Sequence, residues 1–433
     1  MLNTIPSSDA PPGQTLRTRG VDDRKSRPSS ASDVDSWVAV RWGVQSGMPF
    51  ILALNSGSST CKFGVFDQGP GGLAPCLRGR IEMHGEAPRL LSYDPAGAVL
   101  SDEPWPRTSA PDLLGWLEMR LPGPIAAVGH RVVHGGPRFC AATLVTEAVL
   151  AAVAALAPLA PLHQSQSLAG ASALRAARPG LPQVLCFDTA FHAGHDPVVD
   201  RFALPRVWEA RGLRRYGFHG LSYEYLAGRL AALDPPTAAG RVVAAHLGGG
   251  ASLCALRDGR SIDTTMGATP LDGLVMATRC GSLDAGAVLY LLREGGLDAD
   301  GLTDLLYRQS GLLGVSGLSG DMRDLLESRE PAAREALDLY VHRAARETAA
   351  LAAGLGGLDG LVFTAGVGEN APRIRAEICA RLGWLGVRLD AAANERGAGR
   401  LNAADSAVAV WMIPTDEEVV IARQTAALLD LAE

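Results

Sequence analysis

The sequence predicts an α/β protein of two domains with an anion site between them. Three observations carry this reading. Apolar runs of strand length alternate with longer amphipathic runs of helical length. A strand–turn–strand unit with a Gly- or Ser-rich turn occurs in each half, over Phe50–Asp67 and over Val242–Leu256. At 433 residues the chain is also too long for one ordinary core.

Composition narrows the class. The chain is 47% hydrophobic and 20% charged, as expected for a globular enzyme. A formal net charge of −6 with no basic block argues against a general nucleic-acid binder. No apolar run suits a bilayer span, since Ala148–Leu162 is broken by Pro158 and Pro161. The 7 cysteines lack a C-x-x-C pair or metal-ligand spacing, which suits free thiols in a reducing cytoplasm. Residues 1–47 are rich in Ser, Pro, Asp and Arg and read as a disordered extension, or as the product of a misassigned start with Met48 as the true one.

From Pro49 the elements follow in order. Phe50–Leu54 and Thr60–Asp67 are strands around the turn Asn55–Ser59, Arg80–Met83 is a further strand, and a Pro/Gly-rich connection leads to the helix Asp112–Arg120. Ala126–Val133 is a strand ending at His134-Gly135-Gly136, and Ala148–Ala157 and Leu168–Arg178 are helices. The buried strand Val184–Phe187 ends at Asp188, and the carboxyl end of a strand is where open α/β sheets place their sites. In the second half, Val242–Ala245 turns through His246–Gly250 into Ser252–Leu256, and Asp258-Gly259 marks a tight hairpin. Helices follow over Ala285–Glu294, Ala299–Ser310 and Ala332–Ala353. The strand Leu361–Thr364 runs into Ala365–Asn370 and the helix Arg373–Leu382; the strand Ala407–Ile413 precedes Thr415 or Asp416 as N-cap of Glu417–Leu429.

Several of these places suit an anion. Glycines without a Cβ let backbone N–H groups close around phosphate, as at Gly248, Gly249 and Gly250. The hydroxyls of the first turn lie near Lys62, which shares a strand face with Thr60. Arg131 and Arg279 are flanked by small residues, a setting that lets a guanidinium approach an anion, although for either alone a structural salt bridge is the more common explanation. Asp321-Met322-Arg323 could bind nucleotide or pair internally, and His219 in Gly217–Gly220 reads either way. Gly366–Asn370 lacks the full G-x-G-x-x-G spacing, and no Walker A sequence is present.

Taken together, NSGSSTCK, HRVVHGG, APLH, FDTAFH, RRYGFHG, HLGGGAS, MGATPLDGL, TRCG, SGDMRDL, FTAGVGEN and IPTDEE, in this order from Met48 onward, resemble the acetokinase family. The resemblance implies two actin-like, ribonuclease H-like domains of the sugar kinase/Hsp70/actin superfamily with an interdomain active-site cleft. They would span 48–188 and 189–418, with the helix 419–433 packing back onto the first. It implies Mg²⁺-dependent, reversible phosphoryl transfer from ATP to acetate, giving acetyl phosphate and ADP, with Mn²⁺ as a substitute metal, in a cytoplasmic homodimer. By motif, Asn55 and Glu417 are linked to the magnesium and Lys62 lies near the phosphates. His246, Leu247, Gly248, Gly249, Gly250, Asp321, Met322, Arg323, Gly366, Val367, Gly368, Glu369 and Asn370 line the ATP site. Arg131 holds the substrate carboxylate, and Val133, Leu162, Phe218 and Pro270 form the pocket for its methyl group. Asp188, His219 and Arg279 are the catalytic set. The family assigns Asp188 proton transfer, but acetate is already ionised at neutral pH, which favours an orienting or magnesium-linked carboxylate.

This chain departs from the family pattern in places. Gly249 stands for an asparagine, Thr60 for a serine and Tyr223 for a histidine; Gly281–Ala285 replaces GDIDP, and APLHQS replaces APLHNP. The alternatives are a kinase for propionate or butyrate, or a non-catalytic nucleotide-binding switch on the same fold. A switch has no need of Arg131, His219 and Arg279 together.

Overall fold

The computed structural model describes residues 49–57, 60–69, 72–83, 88–106, 109–397 and 399–431. The expectation for residues 1–47, and Ser58 and Ser59 of the first turn, lie outside these.

The first half forms β1 (Phe50–Ser56), β2 (Thr60–Gly69), β3 (Gly72–Glu82), β4 (Arg89–Tyr93), β5 (Val99–Pro104), β6 (Ile125–Val132), β7 (Thr143–Leu144) and β8 (Gln183–Phe187). The second forms β9 (Arg241–Leu247), β10 (Ala251–Arg257), β11 (Arg260–Thr264), β12 (Gly360–Thr364), β13 (Gly399–Arg400) and β14 (Ala409–Met412). The sheet orders are β5-β4-β3-β2-β1-β6-β8-β7 and β11-β10-β9-β12-β14-β13. The run β3-β2-β1-β6-β8 repeats as β11-β10-β9-β12-β14. In both runs the first three strands pair antiparallel and the last three parallel. The carboxyl ends of β1, β6 and β8 therefore correspond to those of β9, β12 and β14.

Burial explains the continuous apolar strands. Successive side chains point to opposite faces of a sheet, so a strand covered on both sides has no polar positions. In β1, Phe50, Leu52 and Leu54 join one core, while Ile51 and Ala53 join another beneath the helix Glu417–Leu428. In β9, Val243, Ala245 and Leu247 face the helix Pro331–Leu355, and Val242 and Ala244 face the helix Gly220–Leu233. Asp258 and Gly259 both have positive φ, 51° and 71°, as a two-residue hairpin of this hand requires.

Three local expectations change. The stretch read as a Pro/Gly connection before residue 112 contains β4 and β5, and the strand read as Arg80–Met83 begins at Gly72. These strands are half-exposed, with the pattern of β5 showing no buried position, so they lack the apolar run that marked the others. The segment Ala365–Asn370 is a short helix entered through Ala365 at φ 65°, not an open turn. The helix Gly220–Leu233 carries no side-chain N-cap signal and was not legible.

No described helix is long and apolar enough to cross a membrane. The seven cysteines are all free thiols.

The helix Glu417–Leu428 lies on the first sheet, where β6 meets it through Gly129. A Cβ there would sit 2.3 Å from Thr425 Oγ1 and 2.5 Å from Ile421 Cγ2. Gly129→Ala is expected to destabilise the protein by about 1–3 kcal/mol through overpacking. A denaturation midpoint equal to that of the parent would contradict this anchoring.

Candidate active site

The carboxyl ends of β1, β6 and β8 bring together Asn55, Arg131 and Asp188. Arg131 Nε donates to both Asp188 oxygens at 3.0 Å, and Nη2 donates to Oδ2 at 2.6 Å. Its Nη1 reaches Asn55 Oδ1 at 3.3 Å. The Asn55 amide donates to Glu417 Oε2 at 2.7 Å and to Glu418 Oε1 at 2.8 Å. Those two glutamates begin the helix that follows β14, so the network joins strand ends of both sheets.

Charge balance within this cluster decides its protonation. Burial lowers the pKa of Arg131, but Asp188 and Glu417 outweigh it and hold the guanidinium above its ordinary value. Burial pushes the Asp188 carboxyl up against the pull of Arg131, and Glu417 pushes it the same way. The forked contacts make the two an ion pair. Burial would also raise Glu417, yet Arg131, Lys62 and the Asn55 hydrogen bond bring it below the usual carboxylate range. Burial and the Glu417 charge raise Glu418. Lys62 pairs across from Asn55 in the β1–β2 hairpin and is itself exposed.

On the other side, His219 and His246 stack with ring centroids 4.1 Å apart and planes 14° from parallel. His246 lies with Leu247 at the buried end of β9, and its Nδ1 lies 2.9 Å from Ser222 Oγ. His219 sits in the left-handed region at φ 59°, a strain of about 1–3 kcal/mol for a residue with a side chain. Packing enforces it. The following Gly220 N–H donates to the Asp188 carbonyl at 2.9 Å, and a Cβ on Gly220 would lie 2.2 Å from that oxygen. Burial, with positive neighbours, drives the pKa of His219 well below its ordinary value and that of His246 to about 4, so both rings are neutral. Burial also lowers Arg279 to about 10, still charged at neutral pH. Arg279 Nη1 donates to the Pro270 carbonyl at 2.6 Å. Gly250 has to lack a side chain, because a Cβ would fall 2.7 Å from Arg279 Nη2 and 3.4 Å from His219 Nε2.

The remaining sequence-derived residues surround this centre in different ways. Val133 and Phe218 share one apolar cluster with Ala160 and Met266; Leu162 is half-buried and Pro270 buried. Leu247 is buried, whereas Gly248 and Gly249 are not. The Gly249 carbonyl accepts from Ala277 N–H at 3.1 Å, and the Ala277 carbonyl would lie 2.9 Å from a Cβ on Gly320. The loop before Asp321 is thus held near the glycine turn. Asp321 caps the helix Met322–Glu327 and pairs with Arg323 on the surface, while Met322 buries its side chain in the core.

Thr364 pairs with His246, which sets Gly366, Val367, Gly368, Glu369 and Asn370 beside the glycine turn. Glu369 Oε1 accepts from the N–H of Ala365 at 2.9 Å and of Thr415 at 3.2 Å. The buried Arg375 donates to the carbonyls of Gly368 and Glu369, both at 2.8 Å, and Asn370 Nδ2 donates to the Gly366 carbonyl at 2.9 Å. Side-chain hydrogen bonds thus tie this segment to its surroundings.

His163 received no role from the sequence. Burial and the charges of Arg279 and Arg131 lower its pKa to about 4, and its buried Nδ1 has no hydrogen-bond partner among the described residues. Its only sequence signal was its place in APLH. Glu418 was likewise given no role, although it shares the Asn55 amide with Glu417.

Two sheets that share a five-strand order, with cationic and imidazole groups gathered at the strand ends of both, define an anion-handling α/β enzyme. A family model described as the acetokinase family matches residues 50–423. The chain is 50% identical over 391 residues to an acetate kinase of Rhodopseudomonas palustris, covering 88% of this chain and 98% of that protein. It is 48% identical over 390 residues to one from Rhizobium meliloti, covering 88% and 99%. Among solved structures, the acetate kinase of Porphyromonas gingivalis matches with TM-score 0.77 at 36% identity, and a propionate kinase of Francisella tularensis with 0.80 at 34%; each match covers 88% of this chain and 100% of the other. The chain belongs to the acetokinase family, and its fold is the actin-like α/β architecture.

The buried histidines away from the reacting groups set an acid limit on stability. Burial lowers His130 and His134 to about 4 and, together with His195, His192 to about 3, from an ordinary 6.5. The unfolded chain then binds more protons than the folded one below about pH 6.5. The stabilisation is complete above that pH and is lost as pH falls toward 4, by up to about 1.4 kcal/mol per group per pH unit. The melting temperature should therefore drop steeply between pH 6.5 and 4.5. A flat profile there would mean these imidazoles become protonated in the folded state.

Proposed function

We propose that this protein transfers the γ-phosphoryl group of ATP reversibly to the carboxylate of acetate, giving acetyl phosphate and ADP. The observation that carries the proposal is the convergence of Arg131, Arg279 and two neutral imidazoles on one place where both sheets end, in a chain of this family. A P–O bond to the acid oxygen forms as the P–O bond to ADP breaks. The protein's task is alignment and charge neutralisation rather than covalent chemistry.

Each residue has a part in this reading. Arg131 keeps Nε and Nη2 on Asp188 and one Nη1 hydrogen on Asn55, which leaves the second Nη1 hydrogen for the acid carboxylate. Asp188, locked in an ion pair, orients that guanidinium, and acetate offers no proton for a base to remove. Arg279 and His219 face the transferring group with N–H donors. Val133, Leu162, Phe218 and Pro270 enclose the methyl group. Lys62, His246–Gly250, Asp321–Arg323 and Gly366–Asn370 hold the nucleotide, with the last segment positioned by Arg375.

The oxygen-rich donor set fits Mg²⁺, a hard cation that is commonly bound by one or two carboxylates plus substrate phosphates. Glu417 carries a stabilised negative charge, and Asn55 turns its N–H groups to the two glutamates and its oxygen to Arg131. Among the described residues no group of three or more His, Cys, Asp or Glu is arranged to hold a metal. Glu417 and Asn55, with Asp188, would therefore hold the ion jointly with the nucleotide. When bound, the ion neutralises phosphate charge. We place the enzyme in the cytoplasm as a homodimer. The helix Ala285–Arg293 supports the dimer, for it buries no residue and exposes Leu289, Tyr290 and Leu292.

The testing experiment traps acyl phosphate with hydroxylamine while the acid is varied. Acetate should give the highest kcat/KM, propionate less and butyrate least, in steps of about 1–3 kcal/mol per methylene. Propionate is the second reading, favoured by the likeness to the Francisella tularensis propionate kinase. A higher value for butyrate than for acetate would refute the pocket. Arg131→Ala and Arg279→Ala should each lower kcat/KM by about 10²–10³ while nucleotide still binds. Near-normal turnover in both would remove the basis of the site.

Gly249 gives a separate test. It is not among the positive-φ glycines, and a Cβ built on it meets no atom within 4 Å, so an asparagine fits there. Ser282 is already bonded to Asp272 at 2.7 Å and supplies no replacement donor. Gly249→Asn should lower KM for ATP several-fold and leave KM for acetate nearly unchanged, since a hydrogen bond to a charged group is worth about 1.5–3 kcal/mol before water competition. Steady-state kinetics showing an unchanged or higher KM for ATP would contradict the loss of a donor at this position.

A further inference from the structure

Behind His219 lies a short hydrogen-bonded chain that the proposed chemistry does not use. His219 Nδ1 is 2.9 Å from Ser252 Oγ, and Ser252 Oγ is 2.6 Å from the Tyr223 hydroxyl. Ser252 and Tyr223 are both 0% exposed. Tyr223 lies one helical turn after His219, with its N–H donating to the His219 carbonyl at 3.1 Å, and Ser252 lies on β10 directly across from His246. The three groups are thus fixed by a helix start and a strand pair, not by a loop.

Hydrogen counting gives this chain a direction. A tyrosine hydroxyl, a serine hydroxyl and a neutral imidazole each carry one polar hydrogen here. Among the described residues, the Tyr223 hydroxyl meets Ser252 and the His246 backbone N–H, which can only donate, so Ser252 is its one acceptor; Ser252 Oγ meets Tyr223 and His219. If His219 Nδ1 carried the proton and the chain ran outward, the Tyr223 hydrogen would have no acceptor in a dry core. If both neighbours donated to Ser252, the serine hydrogen would have none. Only one arrangement satisfies every buried group: Tyr223 O–H donates to Ser252, and Ser252 O–H donates to His219 Nδ1. The imidazole proton then sits on Nε2, the nitrogen that faces Gly250 and Arg279.

We propose that Ser252, its hydroxyl oriented by Tyr223, is a positioning residue that holds His219 in the Nε2–H tautomer so that this ring presents a hydrogen-bond donor to the cleft. The assignment deepens the kinase reading and rests on it for its catalytic meaning. A neutral ring with a free Nε2–H can stabilise a phosphoryl group as charge builds on it. The other tautomer would turn a lone pair toward the same oxygens and repel them. His246, stacked beneath, is held by a parallel device through Ser222, whose hydroxyl lies 2.9 Å from Thr415 Oγ1. Ser252 acts at one remove, since its own hydroxyl never meets substrate.

Tyr223→Phe removes one oxygen and keeps the ring, so the full-length variant should fold with a near-normal melting temperature. Two-bond ¹H–¹⁵N spectra of histidine-labelled protein distinguish the neutral tautomers, with His219→Gln identifying the signal. The parent should show Nε2–H at His219; Tyr223→Phe leaves the Ser252 hydrogen only His219 Nδ1 as acceptor and should keep that tautomer, whereas Ser252→Ala, which also removes one oxygen, takes away the donor and should give Nδ1–H or a mixture. In Ser252→Ala kcat should fall about tenfold, with both KM values within about twofold of the parent, as expected for loss of one interaction felt in the transition state. An Nδ1–H tautomer in the parent, an unchanged tautomer in Ser252→Ala, or an unchanged kcat there would each overturn the proposal. The spectra need no substrate, so a parent that makes no acyl phosphate would count against the kinase reading, while the tautomer result would still decide the relay.

Discussion

Arg131 and Asp188 are buried together, and the rest of the centre follows from keeping that pair satisfied. Taking two charges out of water is tolerated only when their geometry is good and their spare donors and acceptors find partners. Asp188 receives two nitrogens of the guanidinium, the third reaches Asn55, and Asn55 passes the connection to Glu417 and Glu418. Removing one member would leave a buried charge exposed to a low dielectric, at a cost of about 3–5 kcal/mol. The ends of β1, β6 and β8 and the start of the last helix are therefore held in register by electrostatics as well as by packing.

Opposite this charged half sits a neutral one. His219 and His246 are stacked, stripped of water and kept uncharged by burial and by nearby arginines. Two protonated rings in contact would repel each other and the guanidinium groups. Two neutral rings can instead offer directed N–H donors without adding charge. The left-handed backbone at His219 is the local cost of turning one ring into the cleft, and the tight approach of Gly220 to Asp188 holds it there. Positive charge is thus concentrated on arginines and Lys62, and the imidazoles contribute orientation.

Much of this was legible in the sequence, for physical reasons that differ from element to element. β1, β9 and β12 are buried on both faces, so their apolar runs stood out, and the glycines at Gly248–Gly250 marked the turn between β9 and β10. β4 and β5 were hidden because half-exposed strands carry mixed residues whose stability comes from their neighbours. The ordered motifs marked Asn55, Arg131, Asp188, His219, Arg279 and Glu417, yet no motif says that Asp188 grips Arg131 with both oxygens. His163 was hidden for a related reason: its environment is made by Arg131 and Arg279, which are far from it in sequence. Tyr223 read as the loss of an imidazole, and only the fold shows its hydroxyl against Ser252.

The helix Glu417–Leu428 has a consequence for how the chain comes to fold. It covers Ile51, Ala53, Val184 and Cys186 of the first sheet, and the contact between Cys186 and Ile421 spans 235 residues. During synthesis that apolar face must stay uncovered while the whole second sheet is made. A surface so long without its partner is where partly folded chains associate, and pairings this distant slow folding. Glu417 also arrives with this helix, so the charged cluster closes only when the helix docks. The centre cannot be assembled on a half-made chain; maturation of the site and sealing of the first sheet are one event.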